Sequence, residues 1–435
     1  MSEPFEASLS FAQKKDKNDP LQPFRSQFHY PKYKGADAIY FCGNSLGLLP
    51  KKTEAAFLQE LKDWKDLAIG GYQFAQNPWL YYQLPFSKPL SLILGCLEEE
   101  VTVMNSLTVN LHLMLLSFYH PTAKRYKVIM EAGAFPSDQY AMESQIQMHN
   151  HFREAYWPDN FHFRPSDSII EIAPRKGESI IREEDILSAI ESHKDSLAMV
   201  MFGGINYYNG QFFDIPLITA AAHHAGAIAG FDLAHAVGNT ELHLHDWNVD
   251  FAVWCSYKYL NGGPGATGGA FIHNKYARDQ THVRLGGWWG NEESTRFKME
   301  KKFVPKANVH GWNQSTAPVF NLVALKVSLE LFDKAGIQNL FAKSRELTAY
   351  LEFLLLRINT INFSLLTPAD PKKRGAQLSL YFEQKGKEIH EKMTESGIVV
   401  DYREPGVIRV APTPLYNSFE EVFRFFEIMR IFEYQ

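Results

Sequence analysis

Lys258 lies in the stretch WCSYKYLNGGPGATGGAFIH (254–273), between two tyrosines and ahead of a cluster of glycines. It follows the apolar run VDFAVWCS (249–256), which predicts a buried strand. Parallel sheets place ligand chemistry at the carboxyl ends of their strands. A lysine that is partly removed from water there has a lowered pKa and is suited to Schiff-base formation, and glycines beside it let the backbone approach a flat ligand closely. A lone lysine at a strand end is more often simply solvated. A partner residue nearby is therefore needed to favour Schiff-base formation over a solvated surface lysine.

Asp232 supplies that partner. The segment FDLAHAVGN (231–239) places it at the carboxyl end of the strand-like run AGAIAGF (225–231), one βαβ step before Lys258. An aspartate beside a pyridine nitrogen keeps that nitrogen protonated, which makes the ring an electron sink. A lone aspartate more often caps a helix, but a strand-end aspartate followed by a strand-end lysine predicts chemistry that depends on pyridoxal 5'-phosphate.

A glycine motif in the same stretch permits a competing interpretation. Gly263, Gly265 and Gly268 form a GxGxxG pattern, which occurs in dinucleotide-binding sites. That pattern must open a helix, whereas the strand-like run GGAFIHN (268–274) follows here at once. A dinucleotide site is therefore not expected.

Histidines are close together in two places. The segment ELHLHDW contains His243, His245 and Asp246, and His223 adjoins His224. Alternate histidines on one strand face can bind a metal, but the sequence places no third ligand near them. We therefore expect no metal and assign these histidines a structural or surface role.

The elements that position Lys258 and Asp232 alternate between strand-like and helix-like patterns. Short apolar runs without strict alternation predict strands that are covered on both faces; these runs are RYKVIMEA (125–132), SLAMVMFGGI (196–205), AGAIAGFDLA (225–234), VDFAVWCS (249–256) and GGAFIHN (268–274). Helix-like segments lie between them at SDQYAMESQIQMHNHF (137–152) and IPLITAAAHHAG (215–226). This alternation predicts an α/β fold with a mostly parallel central sheet and helices on both faces.

The pattern changes after residue 318. Two amphipathic helices are predicted at 319–336 and 337–358, followed by a strand, a helix, a β pair and a closing helix that begins with the capping-box pattern of Ser418 and Glu421. These elements predict a smaller α+β domain. We expect three parts, which are an N-terminal segment (1–70) that packs near the small domain, a large cofactor-binding domain (71–318) and a small C-terminal domain (319–435).

Composition excludes several classes of protein. The 435-residue chain is 45% hydrophobic and 21% charged, which is typical of a soluble globular protein. Its formal net charge of -5 gives no electrostatic reason to bind nucleic acid or an anionic membrane, and no apolar signal core or membrane-spanning run is present. Cys42, Cys96 and Cys255 are widely spaced, so neither a disulfide framework nor a zinc motif is predicted. We expect a cytoplasmic protein.

Several segments carry a resemblance to a known family. They are FCGNSLGLLP, NSLTVNLHLM, EAGAFPSDQYA, FDLAHAVGN, WCSYKYLNGGPG, GWWG with STRFKM, and GVIRVAPTPLYNSF, and they extend from about residue 40 to the C-terminus. Together they resemble kynureninase, a pyridoxal-phosphate enzyme of the aspartate-aminotransferase fold (fold type I). The resemblance implies hydrolysis of the Cβ–Cγ bond of L-kynurenine or 3-hydroxykynurenine to anthranilate or 3-hydroxyanthranilate and L-alanine, in tryptophan degradation and NAD precursor biosynthesis. It also implies a homodimer with shared active sites.

The same resemblance implies roles for individual residues. Lys258 would form the Schiff base with the cofactor, Asp232 would hold its pyridinium nitrogen, and Phe135 would stack on its ring. The other residues that would contact the cofactor are Leu107 and Thr108 at its phosphate, together with Pro136, Ser137, Asp138, His235 and Tyr257. Trp288 and Thr316 would approach the phosphate from the neighbouring subunit. Tyr257 is also a candidate for relaying a proton.

Substrate contacts follow from the resemblance as well. Arg409, in VIRVAP, matches the arginine that binds the α-carboxylate of the substrate, and a guanidinium on an apolar strand suits bidentate recognition of a carboxylate. Two positions depart from the family pattern. Tyr72 stands where some members have a histidine that faces the substrate, and Gly203 stands where some have a serine near the cofactor.

Two alternative functions remain open at this point. A cysteine desulfurase-like lyase of the same fold would need a mobile nucleophilic cysteine near the small domain, but Cys255 is the last cysteine of the chain. A catalytically silent protein that binds pyridoxal phosphate would not need Lys258, Asp232 and Arg409 together, and a turnover assay distinguishes it from an enzyme.

Overall fold

A seven-stranded sheet forms the centre of the larger part of the molecule. The computed structural model describes residues 4–156 and 164–432. The strands are β1 (Val101–Val103), β2 (Lys127–Glu131), β3 (Ile169–Ile172), β4 (Leu197–Gly203), β5 (Ile228–Asp232), β6 (Phe251–Trp254) and β7 (Gly269–Ile272). Their order across the sheet is β1-β7-β6-β5-β4-β2-β3. Every pair from β6 to β3 is parallel, whereas β7 is antiparallel to both β6 and β1.

Each of the five predicted strands is present within its predicted run. Side chains that alternate along a strand enter two different cores, because both faces of the sheet are covered. On β2, for example, Ile129 packs into one apolar cluster, while Val128 and Met130 pack into the other. The prediction of a mostly parallel sheet with helices on both faces is therefore confirmed.

Helices of eight or more residues cover the sheet and continue into the smaller part of the molecule. They are α1 (Leu9–Lys17), α2 (Thr53–Leu67), α3 (Ser87–Leu94), α4 (Leu107–Phe118), α5 (Pro136–Tyr156), α6 (Glu183–His193), α7 (Ile215–His224), α8 (Val319–Ala335), α9 (Ile337–Leu355), α10 (Gly386–Glu395) and α11 (Phe419–Arg430). Helices of four residues are Gly71–Phe74, Pro165–Ser168, Asn274–Ala277 and Glu293–Arg296. Within the described ranges, none of these helices combines the length and the apolar character needed to span a bilayer.

A smaller antiparallel sheet forms a second core. Its strands are β8 (Ser364–Leu365), β9 (Leu378–Tyr381), β10 (Asp401–Arg403) and β11 (Val407–Val410), in the order β8-β9-β11-β10. The apolar sides of α10 and α11 and the second half of α9 pack with this sheet. Helix α11 begins as predicted, because Ser418 Oγ accepts from the Glu421 amide and the Glu421 carboxylate accepts from the Ser418 amide.

The packing of α8 bears on where the two domains divide. Leu322, Leu325 and Phe332 of this helix belong to the core of the large sheet, as does Leu340 at the start of α9. The core of the small sheet begins with Leu347. We therefore propose that the division falls within α9 rather than at residue 319.

The first 70 residues are shared between the two cores. Phe11 of α1 and Phe41 are buried in the core of the small sheet, and Ile39–Tyr40 pairs in parallel with Ile398–Val399. Helix α2 instead lies against α8. A short antiparallel pair, Lys32–Tyr33 with Ala36–Asp37, completes this segment.

Candidate active site

A pocket lies at the edge of the large sheet where β2, β4, β5 and β6 end. Because these strands are parallel, the residues that follow them meet at one edge. The pocket is lined by Leu107, Thr108, Glu131, Phe135, Ser137, Asp138, Gly203, Ile205, Tyr207, Asp232, Ala234, His235, Tyr257 and Lys258. The residues predicted from two separate strand ends, Asp232 and Lys258, thus share one pocket.

Lys258 is surrounded by rings. Its Nζ lies 2.9 Å from Nε2 of His235, and 5.9 Å from the ring centroids of both Phe135 and Tyr257. Burial, with the positive charge of Lys258 nearby, holds the pKa of His235 well below its usual range, so this imidazole is neutral. Its Nδ1 is buried and makes no hydrogen bond to any residue in the described part of the chain.

Two buried carboxyl groups lie beside the lysine. Asp232 accepts a hydrogen bond of 2.7 Å from the amide of Ala234 and shares a further hydrogen bond with Asp138. Burial raises the pKa of both groups; for Asp138 the neighbouring charge of Asp232 raises it further, whereas Lys258 draws the pKa of Asp232 back down. Asp138 therefore holds the shared proton, and Asp232 carries the negative charge. Asp138 Oδ1 has no hydrogen-bond partner among the described residues.

The amino end of α4 faces the pocket with its backbone N–H groups unused by a cap. Ser106 precedes the helix in an extended conformation, and its side chain makes no capping hydrogen bond. Leu107 and Thr108 follow and line the pocket. A Cβ at Gly268 would come within 3.1 Å of the Leu107 nitrogen and 2.7 Å of the Trp254 carbonyl oxygen, so only glycine leaves this approach open. Free amides at a helix amino end attract a phosphate.

Glu131, which was not predicted, is also part of the pocket. Its carboxylate accepts from the Gly203 amide at 3.1 Å and from Nδ2 of Asn206 at 2.7 Å, and burial raises its pKa to about 7. Its position as the last residue of β2 could have revealed it, since ligand chemistry gathers at strand ends. A Cβ at Gly203 would lie 2.7 Å from Glu131 Oε1. Gly203 therefore leaves room for this carboxylate, and a serine there would displace it.

Arg409 lies on β11 and is almost fully buried. Its guanidinium makes two contacts with Asp401, from Nε to Oδ1 at 3.1 Å and from Nη2 to Oδ2 at 2.8 Å. Nη1 donates to the carbonyl oxygen of Tyr207 at 2.7 Å, and Nη2 donates to Ser45 Oγ at 3.1 Å. Although burial alone would raise it, the pKa of Asp401 is lowered by Arg409. Through Tyr207, the arginine contacts the pocket wall without lining the pocket itself.

Besides Arg409, four predicted residues lie outside the pocket lining. Pro136 is the first residue of α5, between Phe135 and Ser137. The Tyr72 ring packs against Trp79 with centroids 5.7 Å apart, and Trp288 is half exposed with its Nε1 donating to the Arg296 carbonyl oxygen. Thr316 is partly exposed. The roles of Trp288 and Thr316, which the resemblance assigns to the neighbouring subunit, stay predictions, as does a substrate contact by Tyr72.

The chain is similar to proteins of known family over nearly its whole length. A family model described as the kynureninase C-terminal domain matches residues 340–429. Kynureninase of Flavobacterium psychrophilum is 47% identical over 429 residues, which cover 98% of each chain, and kynureninase of Rattus norvegicus is 44% identical over 95% of this chain and 91% of its own.

Solved structures show the same fold at low identity. The apo structure of a cysteine desulfurase from Thermococcus onnurineus NA1 has a TM-score of 0.72 at 16% identity, covering 96% of this chain and 97% of its own. The cystine C-S lyase C-DES, solved with cysteine persulfide, has a TM-score of 0.75 at 14% identity, covering 92% of this chain and 98% of its own.

Proposed function

The chain belongs to the kynureninase family, and from this premise we propose which of its side chains carry out the hydrolysis of L-kynurenine to anthranilate and L-alanine. The observation that carries the assignment of residues is the meeting of Lys258, Asp232 and His235 with an uncapped helix amino end in one pocket. Kynureninases depend on pyridoxal 5'-phosphate, and the pocket offers a nucleophile, an anion and a phosphate site for it.

The pocket has the donors and acceptors that this cofactor requires. The unused N–H groups at Leu107 and Thr108 suit its phosphate, and Phe135 suits the face of its ring. The unpartnered atoms, Asp138 Oδ1 and His235 Nδ1, are buried polar groups that a ligand would satisfy. Bound there, pyridoxal phosphate supplies an electron sink that stabilises negative charge developing on the carbons of the substrate.

Lys258 and Asp232 divide the proton chemistry between them. We propose that Lys258 holds the cofactor at rest and, once the substrate amine has replaced it, removes the proton from the substrate Cα. Burial raises the pKa of Asp232, and the charge of Lys258 and the hydrogen bond with Asp138 oppose that rise. We propose that Asp232 holds the proton on the pyridine nitrogen and so maintains the sink. Water then adds at the γ-carbonyl, the Cβ–Cγ bond breaks to release anthranilate, and protons added at Cβ and then at Cα complete L-alanine.

Tyr257 suits a relay of protons in these steps. Burial raises the pKa of its phenol, so the group stays protonated and can donate. Its ring is beside Lys258, with the lysine Nζ 5.9 Å from the ring centroid. We propose that Tyr257, which lines the pocket together with Thr108 and Lys258, donates to the cofactor phosphate or to the reacting substrate.

Arg409 is proposed to bind the α-carboxylate of the substrate. In the free protein, Asp401 already occupies two of its nitrogens, so a substrate carboxylate has to replace part of this pair. Such an exchange conserves the charge balance around a buried guanidinium, which is expensive to leave unpaired. The carbonyl oxygen of Tyr207 accepts a hydrogen bond from Arg409, and Tyr207 also lines the pocket. Tyr207 therefore connects Arg409 to the pocket proposed for the cofactor.

Arg409→Lys is expected to lower kcat/KM for L-kynurenine about ten-fold or more, because the ammonium keeps the charge but loses the planar fork. Cofactor absorbance should not change. Steady-state kinetics beside a cofactor titration measure both quantities. The control is Arg403→Lys, since Arg403 also contacts Asp401 but is about 42% exposed at the side chain. Loss of the cofactor with an unchanged kcat/KM in the remaining holoenzyme would show that Arg409 serves the phosphate or the fold.

The activity itself is tested by product release. Purified protein loaded with pyridoxal phosphate should convert L-kynurenine to anthranilate and L-alanine in equal amounts, measured by anthranilate fluorescence and amino-acid analysis. The same assay with 3-hydroxykynurenine compares the two substrates. A protein that binds the cofactor and releases neither product is the silent binder of the alternative interpretation. A desulfurase is not favoured, because Cys255 is buried and no cysteine follows it.

We propose a homodimer on the basis of α2, which buries acidic residues and exposes apolar ones, the reverse of the usual polarity of a surface helix. Glu60 and Asp63 are buried on its inner side, and Glu60 accepts hydrogen bonds from Asn77, Trp79 and Tyr82 at 2.9–3.0 Å. Its outer side presents Leu58 and Leu61, which we call the apolar face of α2. Ile69 and Phe74, at 82% and 73% exposure, follow in the next segments of the chain. Exposed large apolar side chains grouped in this way mark an interaction site.

Leu58→Glu combined with Leu61→Glu is expected to convert the dimer to a monomer and to reduce turnover sharply, because the predicted contributions of Trp288 and Thr316 come from a second copy. Light scattering coupled to size exclusion gives the mass, and anthranilate release gives the activity. Leu356→Glu is the matched control, since Leu356 is 70% exposed at the end of α9. A double variant that stays dimeric and active excludes this face as the interface.

The cellular location is proposed from the cysteines. Cys42, Cys96 and Cys255 are all free thiols, and the last is buried. Free thiols without a disulfide partner suit a reducing compartment. This supports a cytoplasmic protein.

A further inference from the structure

Glu100, His245 and His273 meet at the edge of the large sheet opposite the candidate active site. Glu100 immediately precedes β1, and His273 immediately follows β7. His245 lies in the segment that leads into β6. Because Phe271 of β7 pairs with the first residue of β1, these segments converge at the amino end of β6, whereas Lys258 follows its carboxyl end.

The three side chains have the spacing of metal ligands. His245 Nδ1 lies 2.9 Å from Glu100 Oε1 and 3.1 Å from Oε2, and His273 Nδ1 lies 3.8 Å from Oε1. One ligand atom from each residue lies within 4.8 Å of the other two. Ligand atoms around a tetrahedral Zn²⁺ are about 3.4 Å apart, as its bond lengths of about 2.0–2.1 Å require. The distance from Glu100 Oε1 to His245 Nδ1, 2.9 Å, is slightly shorter than this separation, and the distance to His273 Nδ1, 3.8 Å, is slightly longer.

Glu100 is held as a metal-binding carboxylate would be. The residue is fully buried, and each oxygen accepts one backbone amide, Oε1 from Asn274 at 2.8 Å and Oε2 from Leu97 at 2.9 Å. Such outer hydrogen bonds orient a ligand while leaving a lone pair free. His245 has about 34% of its side chain exposed, so solvent reaches the cluster and can complete the coordination.

Two features must adjust for a metal to bind. The imidazoles of His245 and His273 are stacked, with centroids 5.0 Å apart and planes 13° from parallel, so one ring has to turn toward the other. Nδ1 of His273 also accepts a long hydrogen bond of 3.2 Å from the Lys275 amide, which the metal would replace. Rotation of the partly exposed His245 ring provides the first adjustment without moving the backbone.

We propose that Glu100, His245 and His273 form a binding site for a divalent transition metal, with Zn²⁺ preferred, completed by water. Two imidazoles and one carboxylate are a donor set that suits Zn²⁺. From the sequence alone, no third ligand could be placed near the histidines of ELHLHDW. The fold brings two further ligands to His245, which are Glu100, 145 positions earlier, and His273, 28 positions later. The metal would tie the segment before β6 to the ends of β1 and β7, so it would affect stability and not turnover.

Metal binding by the dialysed holoenzyme tests the proposal. After removal of metals by a chelator, the protein is titrated with Co²⁺, followed by visible absorbance, and with Zn²⁺, followed by calorimetry. We expect one ion of either metal per chain at the cluster, an intense tetrahedral Co²⁺ band, and a thermal midpoint raised by several degrees in Zn²⁺. Turnover of L-kynurenine should not change.

Two variants locate the ion. His245→Gln combined with His273→Gln should abolish the Co²⁺ band and the Zn²⁺-dependent rise of the thermal midpoint, while its midpoint without metal stays close to that of the wild type. His243→Gln is the control, because His243 is half exposed, lies two residues from His245 and contacts Glu241 instead. Equal binding by the double variant, or no binding by the wild type at 100-fold molar excess of Zn²⁺, overturns the proposal.

Discussion

Lys258→Ala is expected to lower the turnover of L-kynurenine by about 10⁴-fold or more, since one residue both holds the cofactor and moves the Cα proton. The side chain lines the pocket, and its Nζ lies 2.9 Å from Nε2 of His235. The wild-type holoenzyme should show a visible absorption band that borohydride bleaches, with the cofactor then fixed to the peptide that contains Lys258. The variant should bind the cofactor without that covalent link.

The matched control is Lys127→Ala, at the opposite end of the same sheet on β2, which should keep its turnover. Mass spectrometry of the reduced protein identifies the modified peptide. If borohydride attaches the cofactor to another lysine, or if the alanine variant turns over within ten-fold of the wild type, Lys258 does not have the proposed role.

Asp232→Asn is expected to lower kcat by about 10²–10³-fold while the protein keeps much of its cofactor. An amide fits the same space and can accept from the Ala234 amide, but it cannot stabilise a protonated ring nitrogen. Cofactor content is read from absorbance, and kcat from anthranilate release on fully loaded protein.

Asp138→Asn is the informative comparison for this experiment. Asp138 holds the shared proton, so an amide in its place removes no charge and can still donate to Asp232. Its kcat should fall much less than that of the Asp232 variant. If kcat falls equally in the two variants, the two carboxyl groups act together as a structural unit. The protonation of the ring nitrogen would then not depend on Asp232 in particular.

The strands around the site were predictable because burial on both faces leaves a continuous apolar run. β4, β5 and β6 carry such runs, and each strand lies within the run that predicted it. Two strands of the large sheet had no such signal. β1 is only the tripeptide VTV, and β3 is IIEI with a glutamate exposed, so neither stands out from a loop or a helix end.

Within the site, residues adjacent to a strand end were predictable and residues brought together by packing were not. Asp232 and Lys258 follow from local pattern, and the residues inferred from the family resemblance mostly line the same pocket. Glu131 was missed because a glutamate that ends a strand resembles a solvated one until the fold buries it against Asn206. The pairing of Arg409 with Asp401 likewise depends on the register of β10 and β11. Contacts across a proposed subunit boundary have no local signal at all.

The reversed polarity of α2 has a consequence for how the protein responds to dilution. If its apolar face is covered only by a second chain, part of the free energy of folding comes from association and is subject to mass action. The thermal midpoint should then rise with protein concentration, and specific activity should fall when the enzyme is diluted below its dissociation constant. Glu60, buried on the inner side, fixes the helix in this orientation. If the helix turned its leucines inward, Glu60 would move away and the donors of Asn77, Trp79 and Tyr82 would lose their hydrogen-bond acceptor. The chain therefore cannot hide this surface by rotating one helix, and a dilute monomer remains exposed to aggregation.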